Sequence, residues 1–122
     1  MIMIKITMHV LPKKHKEVTQ TLLSIIEPMG KEKGCLNSGV FCDMEDENSY
    51  SLIEEWETRE DLDRHIVSKK FSVLLGVESL LNGPLEIQIH TVSHSEGMEA
   101  VNATRKKGPD SFLVTAARRH MI

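Results

Sequence analysis

The sequence predicts an α+β domain of β-α-β-β-α-β order, and three observations carry that prediction. Ile2, Ile4, Ile6, Met8 and Val10 alternate with Met3, Lys5, Thr7 and His9, the two-residue period of a strand with one buried face. Val18, Leu22, Ile25, Ile26 and Met29 then recur at helical spacing, with lysine, glutamate, threonine and glutamine between them. Two strand-like stretches, a second helical pattern and a closing alternation complete the series. Joined by right-handed crossovers, this order makes an antiparallel four-stranded sheet with both helices on one face, the ferredoxin-like arrangement.

Each element has a local cause. Pro12 closes the first strand. Pro28 has no amide hydrogen, so it is expected to kink or end the first helix late in its course. Lys31 and Lys33 suit the helix C-terminus, and Gly34 supplies a stop. Cys35 to Met44 read as the second strand, Glu45-Asp46-Glu47-Asn48 as a solvated hairpin turn, and Tyr50 to Glu57 as the third strand. Thr58 is a candidate N-cap, with Asp61 three residues on as its acidic partner. Leu62, Ile66, Phe71, Leu74, Leu75, Val77 and Leu81 sketch an amphipathic helical region broken near Ser68. Gly83-Pro84 ends it, and Leu85 to Thr91 alternate as the fourth strand. The domain is set at residues 1–94, with a C-terminal extension at 95–122. In the extension, Glu96 to Lys106 read as a short helix and Phe112 to Ala117 as a short strand or turn, and the segment is expected to lie over a cavity mouth or the dimer seam.

A length of 122 residues fits one domain with a tail. The formal net charge is -3, which leaves no basic face for nucleic acid. Residues after His94 carry five basic against three acidic groups, and the part before them carries ten against fifteen. No apolar run approaches the roughly 20 residues that span a bilayer, and MIMIKITMHV reads as a strand, not as a signal peptide. Cys35 and Cys42 are an odd number of residues apart in one predicted strand, so their side chains are expected on opposite faces. Reduced thiols and a cytoplasmic location follow. No pair of His, Cys or carboxylate residues has the close spacing of a zinc site, and no glycine-centred calcium loop or phosphate loop occurs, so no metal is expected.

Both helices fall on one face of the sheet, and the other keeps apolar residues such as Met3 and Val92. An open apolar face is normally a partner surface. A two-fold homodimer closed sheet against sheet is therefore expected, burying on the order of 800 Å² per partner.

Two stretches resemble the antibiotic biosynthesis monooxygenase (quinol monooxygenase-like) family. Ile26-Glu27-Pro28 leading to Gly34-Cys35-Leu36 is similar to its proline-interrupted helix running into a glycine-cysteine strand start. Glu54-x-Trp56, followed by Asp61-Leu62, His65, Ser68 and Phe71, is similar to its strand-three and helix-two signature. The resemblance implies a dimeric α+β barrel. It also implies a cofactor-independent monooxygenase that oxidises a quinol or related phenolic aromatic with molecular oxygen, with no metal, flavin or nicotinamide. A non-catalytic small-molecule-binding or dimerisation module of the same fold is the alternative. A haem-degrading relative would need an iron-ligating histidine near Leu75, where leucine cannot serve.

A phenolate gives an electron to oxygen far more readily than a neutral phenol. Such a site must bind a ring, remove a proton and exclude water, in a mostly apolar hollow with one or two polar groups. His65 is the candidate catalytic base, because an imidazole of ordinary pKa is largely neutral at pH 7; a surface histidine on a charged face is the competing reading. Trp56 is the candidate ring-stacking wall, or else core packing. Glu54 shares its face and needs a partner there, with an ion pair as the simpler role. Phe71, Tyr50 and Leu75 are expected to line or pack beside the same cavity, Leu75 as core. His9, His90 and Thr7, taken to lie on inner strands, are structural or reach the cavity or seam.

Overall fold

The alternation at the N-terminus becomes strand β1 (Ile2–His9), which lies inside the sheet with its even-numbered residues buried. A computed structural model describes the backbone of residues 1–120 and the side chains of residues 1–109. After β1 come α1 (His15–Gly30), β2 (Cys35–Cys42), β3 (Ser49–Trp56), α2 (Arg59–Ile66), α3 (Lys69–Gly76), a 3-10 turn (Val77–Leu80) and β4 (Glu86–Thr91). The strands lie in the order β2-β3-β1-β4, all neighbours antiparallel, so the predicted α+β fold is present. Pairing sets Ile2 opposite Trp56, Ile4 opposite Glu54 and Ile6 opposite Leu52. Those residues share the face that the helices cover, because paired residues project to the same side. Val18, Leu22, Ile25 and Met29 of α1 and Leu62, Phe71 and Leu74 of α2 and α3 complete the core.

Pro28 falls in the last turn of α1, and the helix runs two residues past it to Gly30. The predicted break near Ser68 is real and divides the second helical region in two. Thr58 caps α2 by accepting from the Asp61 amide, and Ser68 caps α3 by accepting from the Phe71 amide. Satisfying otherwise orphaned amides lets two helices of eight residues each begin where the sequence asks.

Several expectations need correction. Cys35 pairs with Trp56 and Cys42 with Tyr50, so both cysteines sit on the helix-side face. A β-bulge between Cys35 and Asn37 inserts Leu36 into the register, and one extra residue exchanges the faces of everything before it. Leu75 is exposed on α3, outside the core. The sheet face opposite the helices is mixed in character. Met3, Ile53 and Phe41 lie there among Lys5, Thr7, Asn37, Ser51, Glu55, Gln88 and His90. His90 stands on edge strand β4, not on an inner strand. On β4 the helix-side residues Ile87 and Ile89 stay 42% and 38% exposed, because the helix layer leaves that edge uncovered.

The chain divides into two compact units, Met1–Val92 and Ser93–Ile122. The second contains α4 (Met98–His120), interrupted at Gly108, which has φ 75° and is followed by Pro109. A residue before proline is pushed out of the helical region, and glycine accepts the positive φ. Pro109 then suits the first position of a new helical segment. Phe112 to Ala117 are therefore helical, where a strand or turn was expected. Among the described residues, no helix is long and apolar enough to cross a membrane.

Candidate functional site

The site is assembled where β3 ends, α2 begins and the loop after α1 returns. On β3, Leu52, Glu54 and Trp56 project toward the helices and are fully buried. Their two-residue spacing fixes this, since alternate residues of a strand share a face. Two turns into α2, His65 points inward and is 1% exposed. Its ring stacks on Trp56, with centroids 4.7 Å apart and planes 27° from parallel, and meets the edge of Phe71 at 5.3 Å.

Three acidic or basic side chains run through this packing. Trp56 Nε1 donates to Glu54 Oε1 at 2.9 Å. The same oxygen lies 3.1 Å from His65 Nε2, and on the other side of the ring Glu32 Oε2 lies 2.7 Å from His65 Nδ1. These are close ion-pair contacts, but the oxygens stand off the in-plane N–H directions, so neither is an aligned hydrogen bond. Catalytic contacts are often misaligned before substrate arrives and tighten with it. Glu54 is completely buried, whereas the Glu32 side chain is 18% exposed and has Lys70 Nζ 4.0 Å from its second oxygen.

This arrangement moves His65 away from the ordinary imidazole pKa on which the expectation of a neutral base rests. Burial pushes the His65 pKa down, but the adjoining Glu54 and Glu32 carboxylates outweigh it and the pKa is raised. The distances agree with that direction, since a carboxylate oxygen lies within 3.1 Å of each ring nitrogen. Burial pushes the Cys35 thiol up, and Glu54 adds to this, which favours the protonated thiol over the thiolate.

A crevice of about 100 Å³ opens beside the array, lined by Glu32, Lys33, Trp56, Asp61, Arg64 and His65. Asp61 forms one wall. The Thr58 hydroxyl donates to Asp61 Oδ2 at 2.8 Å and Arg64 Nη1 to Oδ1 at 3.0 Å, and together they hold its carboxyl below the usual range. Gly34 makes the close approach possible. It has φ 85°, and a Cβ there would overlap the Asp61 carboxyl.

Of the residues singled out in the sequence, His65, Trp56, Glu54 and Phe71 come together. Tyr50 does not join them. It lies six residues back on β3, about 20 Å along the strand, where its hydroxyl is 3.1 Å from His15 Nδ1 and 3.4 Å from Thr19 Oγ1. His15 Nε2 in turn meets Asn48 Oδ1 at 2.7 Å, tying α1 to the β2–β3 hairpin. His9 is 3.4 Å from Glu86 at the surface. The residue that sequence reasoning missed is Glu32. It sits between two lysines after the helix end and has no periodicity to mark it. Its one signal is its place two residues before a glycine that turns the chain. Among the described residues, no three His, Cys, Asp or Glu side chains are placed to hold a metal ion.

The sequence model of antibiotic biosynthesis monooxygenase matches residues 1–73, well over half of the chain. The chain belongs to the antibiotic biosynthesis monooxygenase family. The matched stretch contains Glu32, Glu54, Trp56, His65 and Phe71, so the whole array lies within the family domain. A conserved protein of Methanosarcina mazei Go1 is 31% identical in sequence, and its crystal structure superposes with a TM-score of 0.70 over 73% of this chain and 89% of that one. The crystal structure of an antibiotic biosynthesis monooxygenase, 20% identical, gives a TM-score of 0.71 over 77% of this chain and all of the other; at that identity it shows the fold alone. The Synechocystis protein sll1783, itself uncharacterized, is 29% identical over 86 residues. The chain spans 58% of the length of that relative. The fold of the domain is thus the monooxygenase-type fold of this family.

Proposed function

We propose that this family member is a cofactor-independent monooxygenase that oxidises a quinol or related phenol with molecular oxygen, working as a homodimer. The observation that carries the reading is the buried Glu32–His65–Glu54 array, stacked on Trp56 and bordering a crevice. It supplies what the chemistry requires: a group to take the phenolic proton, fixed charges beside the developing anion, and an indole wall for a ring. The crevice volume suits one aromatic ring or the edge of a larger ring system. Substrate binding is assigned to Trp56, with Phe71 packed against His65 beside it and Glu54 acting from beneath. Support for the homodimer comes from Phe41, 55% exposed beside Ile53 and Met3 on the uncovered sheet face.

A second reading, a non-catalytic module that binds a small aromatic molecule, draws on the same crevice. Its volume of about 100 Å³ is below the roughly 300 Å³ at which pockets for larger ligands begin. Oxygen uptake with a panel of one- and two-ring hydroquinones separates the two. Turnover by the wild-type protein that falls at least about 100-fold in His65→Ala is expected for an enzyme. A folded protein that consumes no oxygen with any reduced quinone or phenol is the binding module.

A further inference from the structure

Resting on that functional reading, the geometry points to Glu32, and not His65, as the acceptor of the phenolic proton, with His65 as a charged positioning residue between Glu32 and Glu54. Three observations carry this. Both ring nitrogens of His65 already face carboxylate oxygens, Nδ1 toward Glu32 at 2.7 Å and Nε2 toward Glu54 at 3.1 Å. Both nitrogens are buried. The ring is also closed in by Trp56 on one face and the Phe71 edge on another side. Glu32, by contrast, lines the crevice, is partly exposed, and has its second oxygen, Oε1, 4.0 Å from Lys70 Nζ.

The groups packed around the imidazole are consistent with a fixed charge. Glu54 from β3 and Glu32 from the loop after α1 flank it. Lys70 from α3, Lys33 from the same loop, and Asp61 and Arg64 from its own helix stand farther out. The raised pKa of His65 follows from the first two.

A carboxylate is about six pKa units too weak a base to take a phenol's proton outright. Proton transfer to Glu32 must therefore accompany electron loss to oxygen. The phenolic O–H bond breaks, its proton forms a bond to Glu32 Oε1, and one electron passes to O2. The products are a phenoxyl radical, superoxide and a neutral Glu32, so mass and charge balance. The His65 imidazolium, Lys33 and Arg64, all at the crevice, favour the superoxide anion.

The test uses the full-length chain with Glu32→Gln, Glu32→Asp and the wild type. Oxygen uptake with the best hydroquinone of the panel is expected to fall about 100-fold or more in Glu32→Gln and to survive in part in Glu32→Asp, with Trp56 fluorescence reporting an intact fold. Ring nitrogen chemical shifts of His65 in the wild type give a readout independent of turnover. At pH 6.5, where a free imidazole is half neutral, most of His65 is expected to carry both protons. A Glu32→Gln protein within about threefold of an active wild type overturns the assignment, and so does a His65 that is mostly neutral at pH 6.5. A wild type that consumes no oxygen with any member of the panel overturns the functional reading itself, a result distinct from either of those.

Discussion

Desolvation alone would strip the proton from a histidine buried as deeply as His65, so its charge state is set by the carboxylates on either side of it. The folded pKa exceeds the unfolded value. The array therefore contributes stability that is fully present below about pH 6.5 and is lost as pH rises through the raised folded value. Asp61 works in the opposite sense. Its folded pKa is depressed, so its contribution is present above about pH 3.8 and is lost as pH falls through the lowered value. Glu54→Gln tests the first of these at a single atom. The glutamine oxygen still accepts from Trp56 Nε1, but the buried imidazolium loses a partner. Urea unfolding at pH 6 is expected to show a loss of about 3 kcal/mol, and the His65 titration is expected to move to lower pH. An unchanged titration would show that Glu32 alone holds the proton.

At the scale of elements, the short helices depend on their first turns. Neither α2 nor α3, at eight residues each, would hold as an isolated helix. Thr58→Ala and Ser68→Ala are each expected to cost about 1 kcal/mol in urea unfolding, with Thr58→Ala also disturbing Asp61 at the crevice. The order of elements was legible because alternation and helical spacing are local properties, and Ile2 to Val10 or Val18 to Met29 show them plainly. The bulge at Leu36 was not legible, because an inserted residue leaves no mark in composition and is seen only against the partner strand. The same holds for the site. Glu54, Trp56, His65 and Phe71 lie on regular elements whose periods turn them inward. Glu32 lies in a loop, and its meeting with His65 depends on tertiary packing that no periodicity encodes. The raised pKa of His65 was not legible for the same reason, since it comes from that meeting.

For the whole molecule, the uncovered sheet face decides whether one copy suffices. Its mixture of Phe41, Ile53 and Met3 with Lys5, Glu55 and Gln88 resembles a partner surface with polar groups in register more than a purely apolar core. Sedimentation velocity at micromolar concentration is expected to show a dimer, and the double substitution Phe41→Asp with Ile53→Asp is expected to shift it to monomer. A wild type that sediments as a single chain would remove the dimer from the account. Three segments meet at the array: the loop at 31–34, the end of β3 and the last turn of α2. Gly34 is the hinge pin of that joint. Its bare Cα, two residues after Glu32, lets the loop touch α2 at Asp61, and so sets how far Glu32 can reach. A single methyl group at this position would act as a shim, prising the loop off the helix and carrying Glu32 away from His65. The reach of the acid is thus tuned by a residue that contributes no chemistry of its own.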